Sequence, residues 1–104
     1  MDESHYRLLK LLEVQPNLSQ RELARELGVS LGKINYCLAA LIEKGWIKAR
    51  NFRNNRDKLS YAYLLTPSGI EQKATLTVNF LRRKMAEYDA LKHEIEELKR
   101  EVEG

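Results

Sequence analysis

The sequence predicts a mainly α-helical fold with one small β-hairpin, ordered as three short helices, the hairpin and a long final helix. Three observations support this prediction. Apolar residues recur at helical spacing in the first 44 residues, two strand-like segments flank a polar turn between residues 46 and 66, and residues 70–103 contain neither proline nor glycine. The chain of 104 residues is long enough for one small domain and an extension.

The first two helices are predicted from their apolar spacing and their boundaries. Residues 3–15 place apolar side chains on one broad face, and Pro16 ends the pattern. Ser19 and Glu22 form the ends of a capping box, SQRE, in which each satisfies a free amide of the helix start. The second helix then ends at Gly28. The apolar residues assigned to the two helices are Tyr6, Leu8, Leu9, Leu11, Leu12, Val14, Leu23, Ala24 and Leu27.

The third helix is predicted to begin after Ser30, its N-cap, and to end near Lys44, before Gly45. Its first turn holds Gly32 and Lys33 but no acidic residue. A glycine costs about 1 kcal/mol in a helix interior, and the helix dipole disfavours a cation at this end. These two features suit a helix start that approaches an anionic partner closely. The apolar residues at helical spacing are Ile34, Leu38, Leu41 and Ile42.

The hairpin is predicted from the segments WIKARNF and KLSYAYLLT, which flank the polar turn RNNRD. Trp46 is expected to pack at the start of the first strand. Tyr61, Tyr63, Leu64 and Leu65 are assigned to the hairpin core, and the pattern leaves open which strand face points inward. Residues 48–58 carry five cations against one acidic residue. The hairpin is therefore a basic element, suited to a polyanion, although the cations could instead only solubilise an exposed hairpin.

The last helix is predicted to begin at Thr66 and Pro67, an N-cap followed by the first helical residue. Apolar residues then recur in a heptad pattern typical of a coiled coil over ~3 heptads. Lys84 interrupts the d positions, so the clean seam begins near Tyr88. The residues assigned to dimerisation are Leu81, Tyr88, Leu91, Ile95, Leu98 and Val102.

Charges beside this seam favour a parallel homodimer. Glu87 and Glu94 hold g positions, and Lys92 and Lys99 hold e positions, so a parallel pair joins opposite charges across the seam. An antiparallel pair would join like charges. The alternative is a long helix that folds back on its own domain. We therefore predict a winged helix-turn-helix domain over residues 1–66 and a dimerisation helix over residues 67–104.

Composition excludes several classes of function. The net charge is +3, and the excess of cations lies in residues 48–81, with six basic residues against two acidic ones. No apolar run approaches a membrane span, and a single cysteine, Cys37, fits a reducing cytoplasm. His5 and His93 stand on different helices without ligands at metal spacing. We expect no catalytic arrangement, no metal and no cofactor, and we expect Cys37 to face the core.

The segment LSQRELARELGVSLGKINYCLAALIEKG has helix-turn-helix spacing, with the turn LGVS between its two helices. With HYRLLKLLE, WIKARNF, YAYLLTPSGI and FLRRKMAEY, it resembles the MarR-type winged-helix transcriptional regulators. The similarity covers most of the chain and is greatest to a short subgroup associated with exopolysaccharide loci. The resemblance implies a homodimeric regulator that binds double-stranded DNA in the bacterial cytoplasm, at the nucleoid.

The resemblance also implies where DNA contacts lie. The recognition-helix positions are Ser30, Leu31, Gly32, Lys33, Asn35 and Tyr36, and the wing positions are Arg50, Arg53, Asn54, Asn55, Arg56 and Lys58. Larger MarR proteins have further terminal helices that often form a ligand crevice, and this chain has one long helix instead. A small-molecule effector is therefore left open.

The residues themselves support this interface. Lys33 suits phosphate or guanine, and Asn35 suits adenine or phosphate. Gln20 and Arg21, at the start of the second helix, are placed to contact the DNA backbone. Two alternatives stay open at this stage: Tyr36 could be half-buried core, and the domain could be a protein-interaction adaptor that binds no DNA. The stretch LRRK at 81–84 is assigned to a solvated face rather than to a second DNA contact.

Overall fold

The computed structural model describes residues 3–53 and 59–104. Its elements follow the predicted order. They are the helices α1 (Glu3–Val14), α2 (Gln20–Leu27) and α3 (Leu31–Glu43), the strands β1 (Ile47–Arg53) and β2 (Leu59–Leu65), and the helix α4 (Pro67–Glu103). The predicted fold class, mainly α-helical with a winged helix-turn-helix domain and a long C-terminal helix, is confirmed. No helix in the described ranges is apolar over a length that would cross a membrane.

The core lies where α1, α2 and α3 meet. Leu8, Leu9 and Leu12 of α1 are fully enclosed, together with Leu23 of α2 and Leu41 of α3. Burial of such side chains contributes roughly 1.5–3 kcal/mol each relative to exposure. This small cluster therefore fixes the angle between α2 and α3, the two helices of the helix-turn-helix.

Local signals determine the boundaries of α2 and α3. The hydroxyl of Ser19 accepts the amide of Glu22, and the Glu22 carboxylate accepts the amide of Ser19, so both halves of the predicted capping box form. Gly28 ends α2 with φ +67°, a left-handed conformation that glycine adopts without steric cost. The Ser30 hydroxyl accepts the Lys33 amide at 3.1 Å and caps α3.

Two apolar residues lie outside the faces predicted for them. Ile42 of α3 is exposed, because Cys37 fills the buried face together with Ile34 and Leu38. The predicted inward position of Cys37 is confirmed. Val14, at the end of α1, is also exposed rather than part of the core.

The hairpin strands pair antiparallel, from Ile47 opposite Leu65 to Arg53 opposite Leu59. Ile47 and Tyr63 turn into the core, and Trp46 packs against its edge. The amide of Tyr63 also donates to the carbonyl of Pro16 at 3.2 Å, so the wing is tied to the α1–α2 connection. The inward strand face, which the sequence left open, is thus the one that carries Tyr63.

The first part of α4 packs on the domain, and the rest projects from it. Lys73 forms an ion pair with Glu13 at 2.8 Å, and Phe80 stacks on Tyr6 with ring centroids 5.2 Å apart. Beyond Phe80 the helix is exposed on all sides, which gives the molecule a length of 70 Å. The predicted division between residues 66 and 67 therefore falls at the start of α4, a helix whose first turns are packed against α1.

Candidate nucleic-acid interface

The outward face of α3 is polar and accessible. Gly32, Asn35 and Tyr36 are exposed, and Lys33 is half-buried. The opposite face of the same helix holds the buried residues Ile34, Cys37, Leu38 and Leu41. Because helix-turn-helix domains read bases with the exposed start of their second helix, this face is the candidate DNA-reading surface.

The start of α3 can bind a phosphate. The first amides of any helix have no intrahelical acceptor, and the positive end of the helix dipole points the same way. Ser30 satisfies only the Lys33 amide, and the first turn has no acidic residue that would occupy the site. Gly32 leaves the backbone uncovered, since a Cβ at this position would meet only the Ser30 hydroxyl, at 3.9 Å. Close approach by an anion is therefore sterically open.

Tyr36 is a surface residue that neighbouring side chains orient. It is 66% exposed, which excludes the alternative of a half-buried core tyrosine. His5 of α1 contacts its ring edge to face, with centroids 6.3 Å apart. The ammonium of Lys33 lies 5.8 Å from the ring centroid. The structure thus brings together Lys33 and Tyr36, two of the residues expected to read bases, and His5 of α1 contacts the Tyr36 ring.

Gln20 has a structural contact that the sequence did not predict. Its side-chain amide donates to the Tyr63 hydroxyl at 2.9 Å, which ties α2 to strand β2. Arg21, the next residue, is exposed. Of the two residues expected to contact the DNA backbone, Arg21 is therefore the more available. The sequence around Gln20, a polar residue next to an N-cap, contains no pattern that predicts this long-range hydrogen bond.

The wing is basic in the part that the structure describes. Lys48 and Arg50 are exposed on β1, and Arg53 ends this strand. The remaining predicted wing residues, Asn54, Asn55, Arg56 and Lys58, lie outside the described residues. The wing contacts therefore stay predictions from the sequence.

The projecting part of α4 exposes the predicted dimerisation residues. Leu81, Leu91 and Leu98 are each more than half exposed, and Tyr88, Ile95 and Val102 share the same side of the helix. Two further exposed apolar residues, Val78 and Met85, were missed by the sequence analysis. Each of the two holds an e position, directly after a polar residue at the d position. A search for apolar residues at e positions would have found them.

A carboxyl group at the start of α2 has a shifted pKa. Glu22 has its pKa lowered, first by the hydrogen bond from the Ser19 amide, then by the Ser19 hydroxyl, with a smaller effect of Arg25. Within residues 3–53 and 59–104, no three histidine, cysteine or acidic side chains lie close enough to hold a metal ion. The exposed side chains of the α3 face offer hydrogen bonds and charge.

Comparisons with known proteins agree with this geometry. A family described as winged helix-turn-helix DNA-binding matches residues 1–48. The fold resembles the PcaV transcriptional regulator of Streptomyces coelicolor, with a TM-score of 0.70 and 21% identity over 83% of this chain and 60% of that one. The chain also resembles a MarR/EmrR family transcriptional regulator from Acinetobacter sp. ADP1, with a TM-score of 0.65 and 22% identity over 99% of this chain and 77% of that one.

A third similar structure is that of Streptococcus pneumoniae FabT in complex with DNA, with a TM-score of 0.60 and 21% identity over 84% of this chain and 59% of that one. No curated protein matches the chain in sequence. The fold defines a winged helix-turn-helix protein. More specifically, it has the fold of the MarR-type regulators, so the predicted resemblance is confirmed at this level.

Proposed function

We propose that this protein is a transcriptional regulator that binds double-stranded DNA as a homodimer. The observation that carries the proposal is the outward face of α3, where Asn35 and Tyr36 are exposed above a fully apolar inner face. Lys33 and Tyr36 lie next to each other at the start of the helix. An α-helix fits the major groove of DNA, and side chains of these types contact bases there.

Phosphate contacts supply most of the affinity in this proposal. The α3 amino end and Ser30 bind one phosphate, and Arg21 binds the backbone nearby. The wing cations, from Arg50 to Lys58, reach the minor groove or its phosphates. The structure of FabT in complex with DNA, which has a similar fold, supports the proposal that this protein binds DNA. Affinity is therefore expected to fall steeply as salt rises.

Dimerisation through α4 places two such domains on one operator. A parallel coiled coil over residues 81–102 pairs Glu87 with Lys92 and Glu94 with Lys99 of the other chain. Two recognition helices then lie on successive major grooves, about 34 Å apart, over a pseudo-palindromic site. In this proposal residues 1–66 form the DNA-binding domain, and residues 67–104 form the dimerisation helix.

The proposed cellular role follows from the subgroup that the sequence resembles. We propose that the protein acts in the bacterial cytoplasm, at the nucleoid, on a polysaccharide biosynthesis locus, without enzymatic activity. Neighbouring genes for glycosyltransferases or polysaccharide export would support this assignment. Genome-wide binding in the native cell identifies the target genes directly.

The DNA interface is tested by gel shift with the promoter region of the protein's own gene. Lys33→Ala and the double variant Arg53→Ala/Arg56→Ala are each expected to weaken binding by about tenfold, because each removes charge contacts to DNA. Arg100→Ala is the matched control, since it removes an exposed cation at the far end of α4. If neither interface variant weakens binding, the proposed surface is wrong.

Salt dependence separates this proposal from a protein-interaction adaptor with the same fold. A regulator retains duplex DNA at low salt and releases it as the salt concentration rises. An adaptor would show no such retention on any duplex. The measurement needs no knowledge of the operator, because phosphate contacts act on every sequence.

A further inference from the structure

Tyr63 connects the wing to the helix-turn-helix through three different contacts. Its ring is buried in the core. Its backbone amide donates to the carbonyl of Pro16 at 3.2 Å, and its hydroxyl accepts a hydrogen bond from the side-chain amide of Gln20 at 2.9 Å. The strand β2 is therefore fixed both to the connection between α1 and α2 and to the first turn of α2.

The wing is anchored at two levels along its length. At the base, the amide of Trp46 donates to the carbonyl of Leu41 in α3 at 3.0 Å. Tyr63 pairs with Ala49 and lies two residue pairs nearer to the tip than the first pair of the hairpin. At about 3.3 Å per residue, the two levels are ~7 Å apart. A hairpin held only at its base can tilt about that base, and the second anchor restricts this tilt.

The tilt of the wing affects DNA binding because cations lie beyond the second anchor. Arg53, the last residue of β1, is four residue pairs farther toward the tip than Ala49, which corresponds to roughly 13 Å of strand. For rotation about the base, a displacement at Tyr63 is therefore magnified about threefold at Arg53. Good N–H···O distances span only about 0.5 Å. A small change in tilt is thus enough to displace the wing from the phosphates that it would contact.

We propose that Gln20 and Tyr63 are positioning residues for DNA binding, and that their hydrogen bond sets the tilt of the wing relative to α3 while neither side chain contacts DNA. The proposal rests on the proposed function and deepens it, because it names the link that places the wing and the recognition helix on neighbouring grooves. The connection runs through α2, since Leu23 of α2 and Leu41 of α3 belong to the same buried core.

The structure favours this role of Gln20 over a direct contact with DNA. The sequence predicts Gln20, together with Arg21, as a contact to the DNA backbone. In the structure the Gln20 side chain is half-buried, and its bond to Tyr63 directs the amide toward β2, whereas Arg21 is exposed. The geometry therefore assigns the phosphate contact to Arg21 and the positioning role to Gln20.

Fluorescence anisotropy with a labelled duplex from the promoter region of the protein's own gene tests the proposal. Tyr63→Phe removes the hydroxyl and keeps the ring, and Gln20→Leu removes the amide group. Each is expected to weaken DNA binding by about threefold to tenfold, in line with the net contribution of one hydrogen bond. The double variant is expected to bind no more weakly than the weaker single variant, because both substitutions break the same bond.

The double variant Arg53→Ala/Arg56→Ala shows whether the bond acts through the wing. In that background Tyr63→Phe is expected to weaken binding by less than about twofold, because the contacts that the bond positions are already lost. A purely structural role gives a different pattern. The free energy of unfolding in urea then falls, while the DNA affinity of the folded protein stays the same with or without the bond.

Tyr6→Phe is the matched control. The Tyr6 hydroxyl also accepts a hydrogen bond from another element, Thr77 of α4 at 3.3 Å, but it joins α1 to α4 rather than to the wing. Its removal is expected to leave DNA affinity unchanged. Circular dichroism and titration against excess duplex give the folded, active fraction of each variant. If Tyr63→Phe does not fold, Gln20→Leu provides the same test with and without the wing cations.

Four outcomes separate this inference from the proposed function. If neither single variant weakens binding, the bond does not position the wing. If Gln20→Leu weakens binding while Tyr63→Phe does not, Gln20 contacts DNA directly. If the two effects multiply, or persist in full without the wing cations, the bond does not act through the wing. Each of these results overturns the inference and leaves the proposed function standing. If the wild-type chain retains no duplex at low salt, the proposed function fails, and this inference fails with it.

Discussion

His5 of α1 and Tyr36 of α3 contact each other edge to face, with ring centroids 6.3 Å apart and an interplanar angle of 66°. The imidazole is buried, while the phenol ring is largely exposed. The contact with His5 therefore restricts the orientation of the Tyr36 ring on the proposed DNA-reading face of α3. Such preorganisation lowers the entropy lost when a side chain binds.

Tyr36→Ala is expected to separate DNA affinity from stability. Because the side chain is mostly in solvent, the free energy of unfolding should change by about 0.5 kcal/mol or less. Affinity for a specific operator should fall by about tenfold, since a base or phosphate contact is lost. Urea unfolding and gel shift measure the two quantities. Ile42→Ala, farther along the same helix, is the control for binding and should leave the DNA affinity unchanged.

Gly32→Ala is expected to have opposite effects on the free and the bound protein. A Cβ at this position has room, with only the Ser30 hydroxyl at 3.9 Å, so alanine should stabilise the helix by up to about 1 kcal/mol. The same methyl group would lie between the α3 backbone and DNA and should weaken binding. Thermal unfolding and gel shift measure the two effects. Unchanged DNA affinity would show that Gly32 is not at the interface.

Local rules predicted the helix boundaries correctly. The Ser19–Glu22 capping box, the Ser30 cap and the Thr66–Pro67 helix start each depend on residues within four positions, so the sequence contains all the information needed. The order of elements follows from these boundaries. The position of α3 along the chain could be predicted for the same reason.

Contacts between distant segments could not be predicted in this way. The stacking of Phe80 on Tyr6 and the bond from Gln20 to Tyr63 depend on how α4 crosses α1 and how the wing meets α2. The exposure of Ile42 likewise depends on which side chains of α3 fill the core, and Cys37 fills it instead of Ile42. Heptad spacing alone also failed to identify Met85, because the exposed apolar residues of α4 shift from the d to the e position where Lys84 occupies d.

Gly69 marks a close approach that only the structure reveals. A Cβ on Gly69 would collide with the backbone carbonyl of Trp46, the group that accepts the amide of Thr66 at 2.9 Å. Gly69→Ala should therefore push α4 away from the start of β1 and destabilise the domain by about 1–3 kcal/mol, despite the better helix propensity of alanine. Urea unfolding followed by Trp46 fluorescence measures this. An unfolding midpoint equal to that of the wild type would contradict the predicted collision.

The capping box predicts a pH-dependent part of the stability. The Ser19 amide and hydroxyl lower the pKa of Glu22 below its ordinary value of 4.5, so the ionised carboxylate is favoured in the folded chain. Its stabilising effect is present above the unfolded-state pKa and is lost as the pH falls through the folded-state pKa. Glu22→Gln removes this titration but keeps the shape of the side chain.

The difference in unfolding free energy between the wild type and Glu22→Gln, measured in urea, should favour the wild type near neutral pH and shrink as the acid is protonated. Ser19→Ala should reduce stability by about 1 kcal/mol through loss of the cap, and should move the pKa of Glu22 back toward its ordinary value. Carboxyl NMR titration measures that shift directly. Arg21→Ala, on the same turn but outside the hydrogen-bonded box, should leave the pKa of Glu22 in place. A pH-independent difference between the wild type and Glu22→Gln would show that the carboxylate does not act through its charge.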